Sequence, residues 1–168
     1  FRDIRFTGDF VMNNLEVVNN LEFFYSIFDG IFEGIKIKNI DIEAFSNSNF
    51  SGELNLPVCE YIDRGAFYAS NFSGSLNLPV CNFIGREAFI NSNFTGSLNL
   101  PACTYVGDSA FQNSNFSGSL NLQVCTYIGG YAFNNSNFSE ITIGANAVLG
   151  ANCIGAHSQE FIDDYTAN

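Results

Sequence analysis

Phenylalanine recurs at one fixed interval through most of this chain, and no other feature constrains the fold as strongly. One series marks the start of each repeat: Phe45, Phe67, Phe89, Phe111 and Phe133. A second series and a cysteine series keep the same step: Phe50, Phe72, Phe94, Phe116 and Phe138; Cys59, Cys81, Cys103 and Cys125. A fixed period of roughly 20–50 residues indicates stacked units, each of which buries its apolar face only against its neighbours.

Each repeat divides into one strand and a return path. Leu76-Asn77-Leu78 has the apolar–polar alternation of a strand, and Pro79 after it suits a strand end because proline has no N–H to donate. The pair Phe83-Ile84 then precedes Gly85, which predicts a turn. The following Ala-Phe step predicts a single short helical or 3₁₀ turn, which neighbouring coils must hold in place.

The predicted fold is an α/β-type repeat solenoid, mostly β and loop, wound as a right-handed superhelix. Its coils contribute to one parallel β-sheet of about seven strands, because parallel strands need a crossover and the rest of each coil supplies it. The predicted strands centre on these residues: Val11, Lys36, Asn55, Asn77, Asn99, Asn121 and Thr142.

The repeats fill a single domain over residues 1–168. Its predicted parts are degenerate N-terminal coils at 1–43, regular 22-residue repeats at 44–139, and a last coil with a C-terminal cap at 140–168. Terminal repeats are usually atypical because they close the stack.

Both ends depart from the regular period. At the N-terminus, strand signatures predict a long coil from Phe6 to Phe32, followed by a short coil from Phe32 to Phe50. At the C-terminus, Ile141-Thr142-Ile143 predicts a seventh strand, and Cys153-Ile154 takes the Ala-Phe position. Residues 158–165 predict a short cap, with a serine as N-cap and a glutamate in the first turn.

The repeat resembles the BspA-type leucine-rich repeat. Ala66-Phe67, Leu76-Asn77-Leu78-Pro79 and Ile84-Gly85 carry the likeness, and the neighbouring copies repeat it. The family cysteine after Ala-Phe is replaced by serine in every regular copy: Ser48, Ser70, Ser92, Ser114 and Ser136. The resemblance implies a leucine-rich-repeat solenoid similar to cell-surface and secreted proteins, mostly bacterial, whose repeats serve adhesion and protein binding. It therefore implies an extracellular, non-catalytic protein.

Charge excludes some classes of partner. The net charge is −11 and only six residues are basic, so the chain offers no positive footprint for nucleic acid or for an anionic membrane surface. No apolar run is long enough to span a membrane.

The cysteine series has two interpretations. Residues in equivalent positions of adjacent coils stack roughly 5 Å apart, which is within the Cα range of a disulfide, so a redox or metal ladder is conceivable. The favoured interpretation is a row of buried free thiols, which pack as small hydrophobes.

There is no Cys-x-x-Cys motif and His157 is the sole histidine, so we expect no metal site, no cofactor and no catalytic residues. Glu160, Asp163 and Asp164 are more consistent with a solvated cap than with a cation site.

Every regular coil also carries an Asn-Phe-Ser/Thr sequence, which is formally an acceptor for N-glycosylation. The asparagines concerned are Asn49, Asn71, Asn93, Asn115 and Asn137. We favour a structural role, because asparagine side chains before a strand bond turn backbone and can bond one another from coil to coil.

The outward strand positions are the best candidates for a binding site. If the leucines point inward, two rows point outward, and together they form what we call the strand face: Glu53, Asn55, Ser75, Asn77, Ser97, Asn99, Ser119 and Asn121. Repeat arrays often bind partners on such a face, although an inert amide ladder would have the same sequence.

The sequence thus predicts a surface or secreted leucine-rich-repeat protein that binds a host or matrix protein. One alternative is a spacer that holds another domain away from a surface. A second is a glycan-binding module, which the absence of tryptophan weakens, although Tyr61, Tyr105 and Tyr127 remain for stacking on a sugar.

Overall fold

A computed structural model describes residues 1–20, 22–50 and 52–155. This part of the chain consists of short strands and turns, without an α-helix. The strands, in chain order, are β1 Arg5–Phe6, β2 Phe10–Val11, β3 Val17–Val18, β4 Ile27–Phe28, β5 Phe32–Glu33, β6 Asn39–Ile40, β7 Asn49–Phe50, β8 Leu54–Asn55, β9 Tyr61–Ile62, β10 Leu76–Asn77, β11 Phe83–Ile84, β12 Thr95–Asn99, β13 Tyr105–Val106, β14 Asn115–Leu122, β15 Tyr127–Ile128, β16 Glu140–Ile143 and β17 Val148–Leu149.

All strand pairs are parallel and join one coil to the next, which confirms the predicted solenoid. On the side predicted from the Leu-x-Leu pattern, β2, β5, β8 and β10 form a four-stranded sheet, and β12, β14 and β16 form a three-stranded one. The register pairs each asparagine with its equivalent in the next coil, as in Asn77 with Asn55 and Asn99 with Asn121. The seven strands on this side therefore place their outward residues in continuous rows.

A second side carries a sheet that the sequence analysis missed. Strands β3, β6, β9, β11, β13, β15 and β17 form one seven-stranded parallel sheet, and its four strands from β9 to β15 are the aromatic–aliphatic pairs. Two residues are too few to show the alternation of a strand, so the sequence analysis predicts only a turn after these pairs and no strand. A glycine follows the last four of these strands and is needed there for close packing, since a Cβ on Gly107 would lie 2.5 Å from the backbone nitrogen of Arg86.

A third side begins with β1, β4 and β7 and continues as a bridge between Asn49 and Asn71. The remaining side is the Ala-Phe segment, where three backbone hydrogen bonds join one regular coil to the next, as Glu43, Phe45 and Asn47 show. The Phe45 N–H donates to the Ala66 carbonyl at 2.8 Å, and equivalent bonds recur in the following coils. Backbone groups of the coil thus find partners in the neighbouring coils on all sides.

The Ala-Phe segment is a single turn, as predicted, closed by the Ile90 N–H, which donates to the Glu87 carbonyl at 3.3 Å, and it does not continue into a helix. Glu87 and Asn91, on either side of it, have left-handed backbone angles, with φ of 57° and 58°. A right-handed helix cannot pass through such residues. Equivalent positions in other coils share this geometry, and the second of them is often asparagine, which tolerates it better than most residues.

The core is built from two phenylalanine ladders. Rings of the first series lie face to face, with Phe89 at 5.1 Å from Phe67 and 5.1 Å from Phe111. The second series stacks beside it, and Phe94 meets Phe89 edge to face at 5.7 Å. All ten phenylalanines of the two series are buried. The strand leucines and the cysteines complete the same cluster.

The serines that replace the family cysteine form a buried polar row. The Ser70 hydroxyl donates to the Phe45 carbonyl of the preceding coil at 2.8 Å, and Ser92 donates to Phe67 at 3.3 Å. Both serines are fully buried. A hydroxyl here satisfies a carbonyl that lies next to the phenylalanine ladder, where an unpaired acceptor would be costly.

The N-terminal coils follow the regular step, which corrects our prediction of a long coil followed by a short one. Phe6 pairs with Phe28, and Phe28 pairs with Phe50, so each step equals the period of the regular repeats. Phe32 takes the position of a strand leucine. The second of the seven strands on this side is therefore β5, Phe32–Glu33, which pairs with β8. Lys36, predicted as its centre, lies in the following turn. The error arose because two phenylalanines at nearby positions, Phe28 and Phe32, fit the same signature.

At the C-terminal end, β16 pairs with β14 as predicted, and Val148–Leu149 continues the seven-stranded sheet. The Phe133 N–H donates to the Cys153 carbonyl, which confirms that Cys153 occupies the alanine position. The predicted cap at residues 158–165 lies outside the described residues.

We expect truncation within the ladder to be severe. Phe89→Ala removes a ring that is enclosed by two like rings, so the free energy of unfolding should fall by about 3–5 kcal/mol. Phe83→Ala, in the half-exposed ring row of the seven-stranded sheet, is the matched control and should cost clearly less. Denaturant unfolding of both variants measures the difference, and equal losses would contradict the assignment of Phe89 to the core.

Candidate functional site

The strand face is displayed as the sequence predicted. Leu54, Leu76 and Leu98 point into the core, and the residues between them and before them point outward. Six of the eight strand-face side chains are exposed, and Ser119 and Asn121 are partly exposed. The parallel register brings all eight together in two adjacent rows on consecutive coils.

Hydrogen bonds along the rows hold the side chains of the strand face. The Asn77 amide donates to the Asn55 oxygen at 2.8 Å, and Asn121 donates to Asn99 at 3.1 Å. In the neighbouring row, the Ser75 hydroxyl donates to a Glu53 carboxylate oxygen at 3.0 Å. Each amide has two N–H donors and two acceptor lone pairs, so one bond along the row leaves further capacity that points outward.

Further along the same row, the Ser119 and Ser97 hydroxyl oxygens lie 3.3 Å apart, within hydrogen-bond distance. The Ser97 oxygen also accepts a bond from the Ser119 backbone N–H at 3.0 Å. Short side chains held in this way have little conformational freedom left to lose when a partner binds.

The centre of the strand face is uncharged, and carboxylates stand at its two ends. In the asparagine row, Glu33 pairs with Asn55 at the N-terminal end. In the serine row, Glu53 comes first and Glu140, which pairs with Ser119, comes last. A partner that contacts the centre is therefore recognised by hydrogen bonds and shape, and charge acts only from the ends.

An apolar ridge borders the strand face, and the sequence analysis did not identify it. The turn after three of the four regular strands exposes a valine, with Val58 38% exposed, Val80 42% and Val124 48%, and the partly exposed Ala102 takes the equivalent position between Val80 and Val124. Pro57 and Pro79 precede two of these valines. The prolines were interpreted only as strand ends, although the repeated Pro-Val pair at an exposed turn could have indicated the ridge. Contiguous exposed apolar side chains beside a polar strip are typical of protein-binding surfaces.

The cysteine row lies in the core, which confirms that these thiols are buried. All five cysteines of the described residues are free and buried: Cys59, Cys81, Cys103, Cys125 and Cys153. Each of the first four points its Sγ toward the carbonyl two residues on, as Cys103 does toward Tyr105 at 3.3 Å. Burial raises the pKa of the Cys59 and Cys103 thiols to about 12, so at neutral pH both are protonated and poor nucleophiles.

The five asparagines of the Asn-Phe-Ser/Thr sequences are exposed, whereas the phenylalanine after each is buried. The predicted bonding from coil to coil is present, since Asn93 donates to Asn71 at 3.4 Å and Asn115 donates to Asn93 at 3.2 Å. N-glycosylation at these positions remains the alternative.

The tyrosines considered for sugar stacking form a ladder of their own. Phe83 lies 4.5 Å from Tyr61 and 4.8 Å from Tyr105, and Tyr127 continues the stack at 4.9 Å, with all ring planes nearly parallel. The two inner rings therefore have a neighbour on both faces. A sugar would find a ring face only at the ends of this stack, which weakens the glycan-binding alternative.

Within residues 1–20, 22–50 and 52–155, no group of three or more His, Cys, Asp or Glu side chains is placed to hold a metal ion. The same described ranges contain no helix that is long and apolar enough to cross a membrane. His157, Glu160, Asp163 and Asp164 lie beyond the described residues.

Comparison with known proteins agrees with this geometry. A family model described as BspA type leucine rich repeat region matches residues 38–158 in six copies. No curated protein and no solved structure matches the chain. The match covers most of the chain, including all the strands that form the strand face.

We expect the buried thiols to be unreactive in the folded protein. Titration with a thiol reagent at neutral pH should modify few groups in the native state and all five in denaturant, because burial blocks access and disfavours the thiolate. Rapid modification of all five in the native state would contradict the burial. A lower count in denaturant would show that some are oxidised.

The raised thiol pKa values also predict a loss of stability at alkaline pH. The folded state favours the neutral thiol, so this stabilisation is complete below the ordinary pKa of 9.0 and disappears as pH rises toward about 12. The free energy of unfolding, measured by denaturant titration across this range, should fall as pH rises. Cys103→Ala should reduce the slope relative to wild type, whereas an unchanged slope would assign the effect to other groups.

Proposed function

Because the chain belongs to the BspA-type leucine-rich repeat family, we propose that it is a non-catalytic cell-surface or secreted protein that binds another protein through its strand face. Proteins of this family are typically located at the surface or secreted, and leucine-rich repeats usually mediate protein binding. The partner expected for such a protein is a host or matrix macromolecule, and the role is adhesion.

The observation that carries the proposal is the pairing of the strand face with the ridge. A hydrogen-bonding strip with an uncharged centre lies next to an apolar row of three exposed valines and Ala102, and both extend over the same consecutive coils. A partner could bury apolar area on the ridge while its backbone or polar side chains bond the amides. Neither feature alone requires a partner, since single exposed valines are common on protein surfaces.

The hydrogen bonds within the rows favour binding more than an inert ladder. Asn55 and Asn77 are already oriented by their mutual bond, so a partner loses little side-chain entropy when it uses the donors and acceptors that remain. Such rigidity preorganises a surface in the same way as packing does. The row would be inert only if the remaining N–H donors and oxygen acceptors of the amides bonded water and never a partner.

Two alternatives predict different results. A spacer would bind nothing through the strand face, and any binding would lie in flanking segments. A glycan-binding module would bind oligosaccharides through the amide rows. Screening the purified domain against a panel of immobilised matrix proteins and a glycan array separates these outcomes.

For a protein partner identified in that screen, we expect Asn77→Arg combined with Asn99→Arg to abolish binding. Two long charged side chains at the centre of the strand face would block close approach and leave charges without partners. The matched control is Asn82→Arg with Thr104→Arg, at exposed positions on the second side of the same coils. Unchanged melting curves show that both variants are folded.

The control variant should bind as wild type does, and wild-type affinity should depend only weakly on salt, because the centre of the strand face is uncharged. Unchanged affinity of the strand-face variant would place the binding site elsewhere and favour the spacer. Loss of binding in both variants would assign the effect to charge in general.

A further inference from the structure

On the Ala-Phe side of the solenoid, the position directly after the core phenylalanine of each coil forms a column with an interrupted aromatic stack. Successive coils place Arg2, Phe24, Ser46, Tyr68 and Ile90 there, each one full period after the last. Phe24 and Tyr68 therefore stand two coils apart, with a small serine between them. This column belongs neither to the core nor to the strand face.

The spacing of the coils determines what fits between the two rings. Rings at equivalent positions of adjacent coils elsewhere in this protein lie 4.5 Å to 6.2 Å apart, and most of them have nearly parallel planes. Phe24 and Tyr68 lie two coil steps apart, with the coil of Ser46 between them, so the two rings are about 10 Å apart along the solenoid axis. That distance admits one planar group at the ordinary spacing from each ring.

A cavity of about 290 Å³ occupies this place. Phe24 and Tyr68 line it on two sides, and Ser46, only 3% exposed, lies between them at its base. The Ser46 hydroxyl oxygen accepts a hydrogen bond from the Asn47 amide at 3.0 Å. Tyr68 is 37% exposed, so the cavity opens to solvent beside this ring.

Carboxylates dominate the rim of the cavity. Glu43 and Glu87 line it together with Arg64, whose guanidinium is 3.8 Å from a Glu43 carboxylate oxygen. That distance is too long for a hydrogen bond and both side chains are partly exposed, so the ion pair is weak. Glu43 consequently retains acceptor capacity at the mouth of the cavity.

The protein itself shows which planar group stacks in this column. The Arg2 guanidinium carbon lies 5.4 Å from the centre of the Phe24 ring, on the side of that ring away from Ser46 in the order of the coils. Tyr25 packs perpendicular to Phe24 at 4.4 Å and fixes its orientation. A guanidinium thus already lies over one face of Phe24, at a distance comparable to the spacing of stacked rings in adjacent coils.

We propose that the slot between Phe24 and Tyr68 binds an arginine side chain of a partner protein. A guanidinium is planar and cationic, so it can stack between two rings and donate hydrogen bonds to Glu43 at the mouth. A phenylalanine or tyrosine side chain matches the rings but not the carboxylates, and the ammonium of lysine is not planar. The site does not depend on the strand face and stands even if that face binds nothing.

The test is an NMR titration of the folded domain with Nα-acetyl-arginine amide. The aromatic resonances of Phe24 and Tyr68 should shift with saturable dependence on concentration. The citrulline analogue, which is planar but uncharged, and the phenylalanine analogue should each bind about tenfold or more weakly, because they lose the cation–π and carboxylate interactions. Equal binding of all three compounds, or no shift of either ring, would overturn the proposal.

Three variants test whether arginine binds in the slot between Phe24 and Tyr68. Ser46→Phe supplies the missing ring from the chain itself, so arginine-dependent shifts should disappear while the melting temperature is retained or rises. Gln112→Phe, at the same column position three coils on, is the matched control and should leave binding unchanged. Tyr68→Ala changes an exposed residue and should weaken binding without unfolding the protein. If Tyr68→Ala binds arginine as wild type does, the proposal is wrong, whatever Ser46→Phe shows.

Discussion

Face-to-face stacking of identical phenylalanines in adjacent coils is the interaction on which the rest of the structure depends. A single coil, built from two-residue strands such as Leu54–Asn55, cannot bury enough apolar area to fold alone. Rings such as Phe67 and Phe89 gain their burial only when the neighbouring coil places its own ring at the same height. A shift of a whole coil by one residue would break the ladders of every side at once, so the irregularity of register between Gly96 and Leu98 stays local and leaves Leu98 paired with Leu120.

The same repetition imposes a rule on polar groups. Wherever one coil places an amide or hydroxyl, the next coil places another about 5 Å away. Asn113 bonds Asn91 at 2.7 Å on the turn side, as Asn77 bonds Asn55 on the strand face, and buried Ser70 bonds a backbone carbonyl. Polar ladders of this kind satisfy most polar groups of the regular coils, whereas the buried Ser26 hydroxyl of an N-terminal coil has no partner among the described residues. On the strand face they also leave a rigid array with unused donors and acceptors.

The features that could be predicted from the sequence are those whose residues recur at the same position of every regular coil. Leu76, Asn77 and Cys81 recur at fixed positions, so their strand, their outward row and their burial followed from spacing alone. The pair Tyr61–Ile62 was not recognised as a strand, because two residues carry no alternation and the pairing lies wholly between coils. Nor could the slot at Ser46 be found, since it arises from a small residue between two large ones in a column that has no regular pattern.

The distribution of charge links the two candidate surfaces. The six basic residues all have partners within the chain: Arg5 with Asp29, Lys38 with Glu16, Arg64 with Glu43 and Arg86 with Glu87 as ion pairs, Arg2 on the Phe24 ring, and Lys36 on the Asn14 amide oxygen. The 17 acidic residues far outnumber these six, so the surrounding field is negative and favours approach by a basic partner.

That field acts at long range, whereas the centre of the strand face makes only short-range contacts. A partner with arginines around an uncharged, hydrogen-bonding centre would match both features. Its basic side chains would meet the acidic ends of the strand face as exposed ion pairs, which add little affinity, and its centre would meet the amide rows. The acidic ends of the strand face favour a partner with basic residues at its margins. The uncharged centre favours a partner that is uncharged there, because a charge at the centre would have to be desolvated on binding.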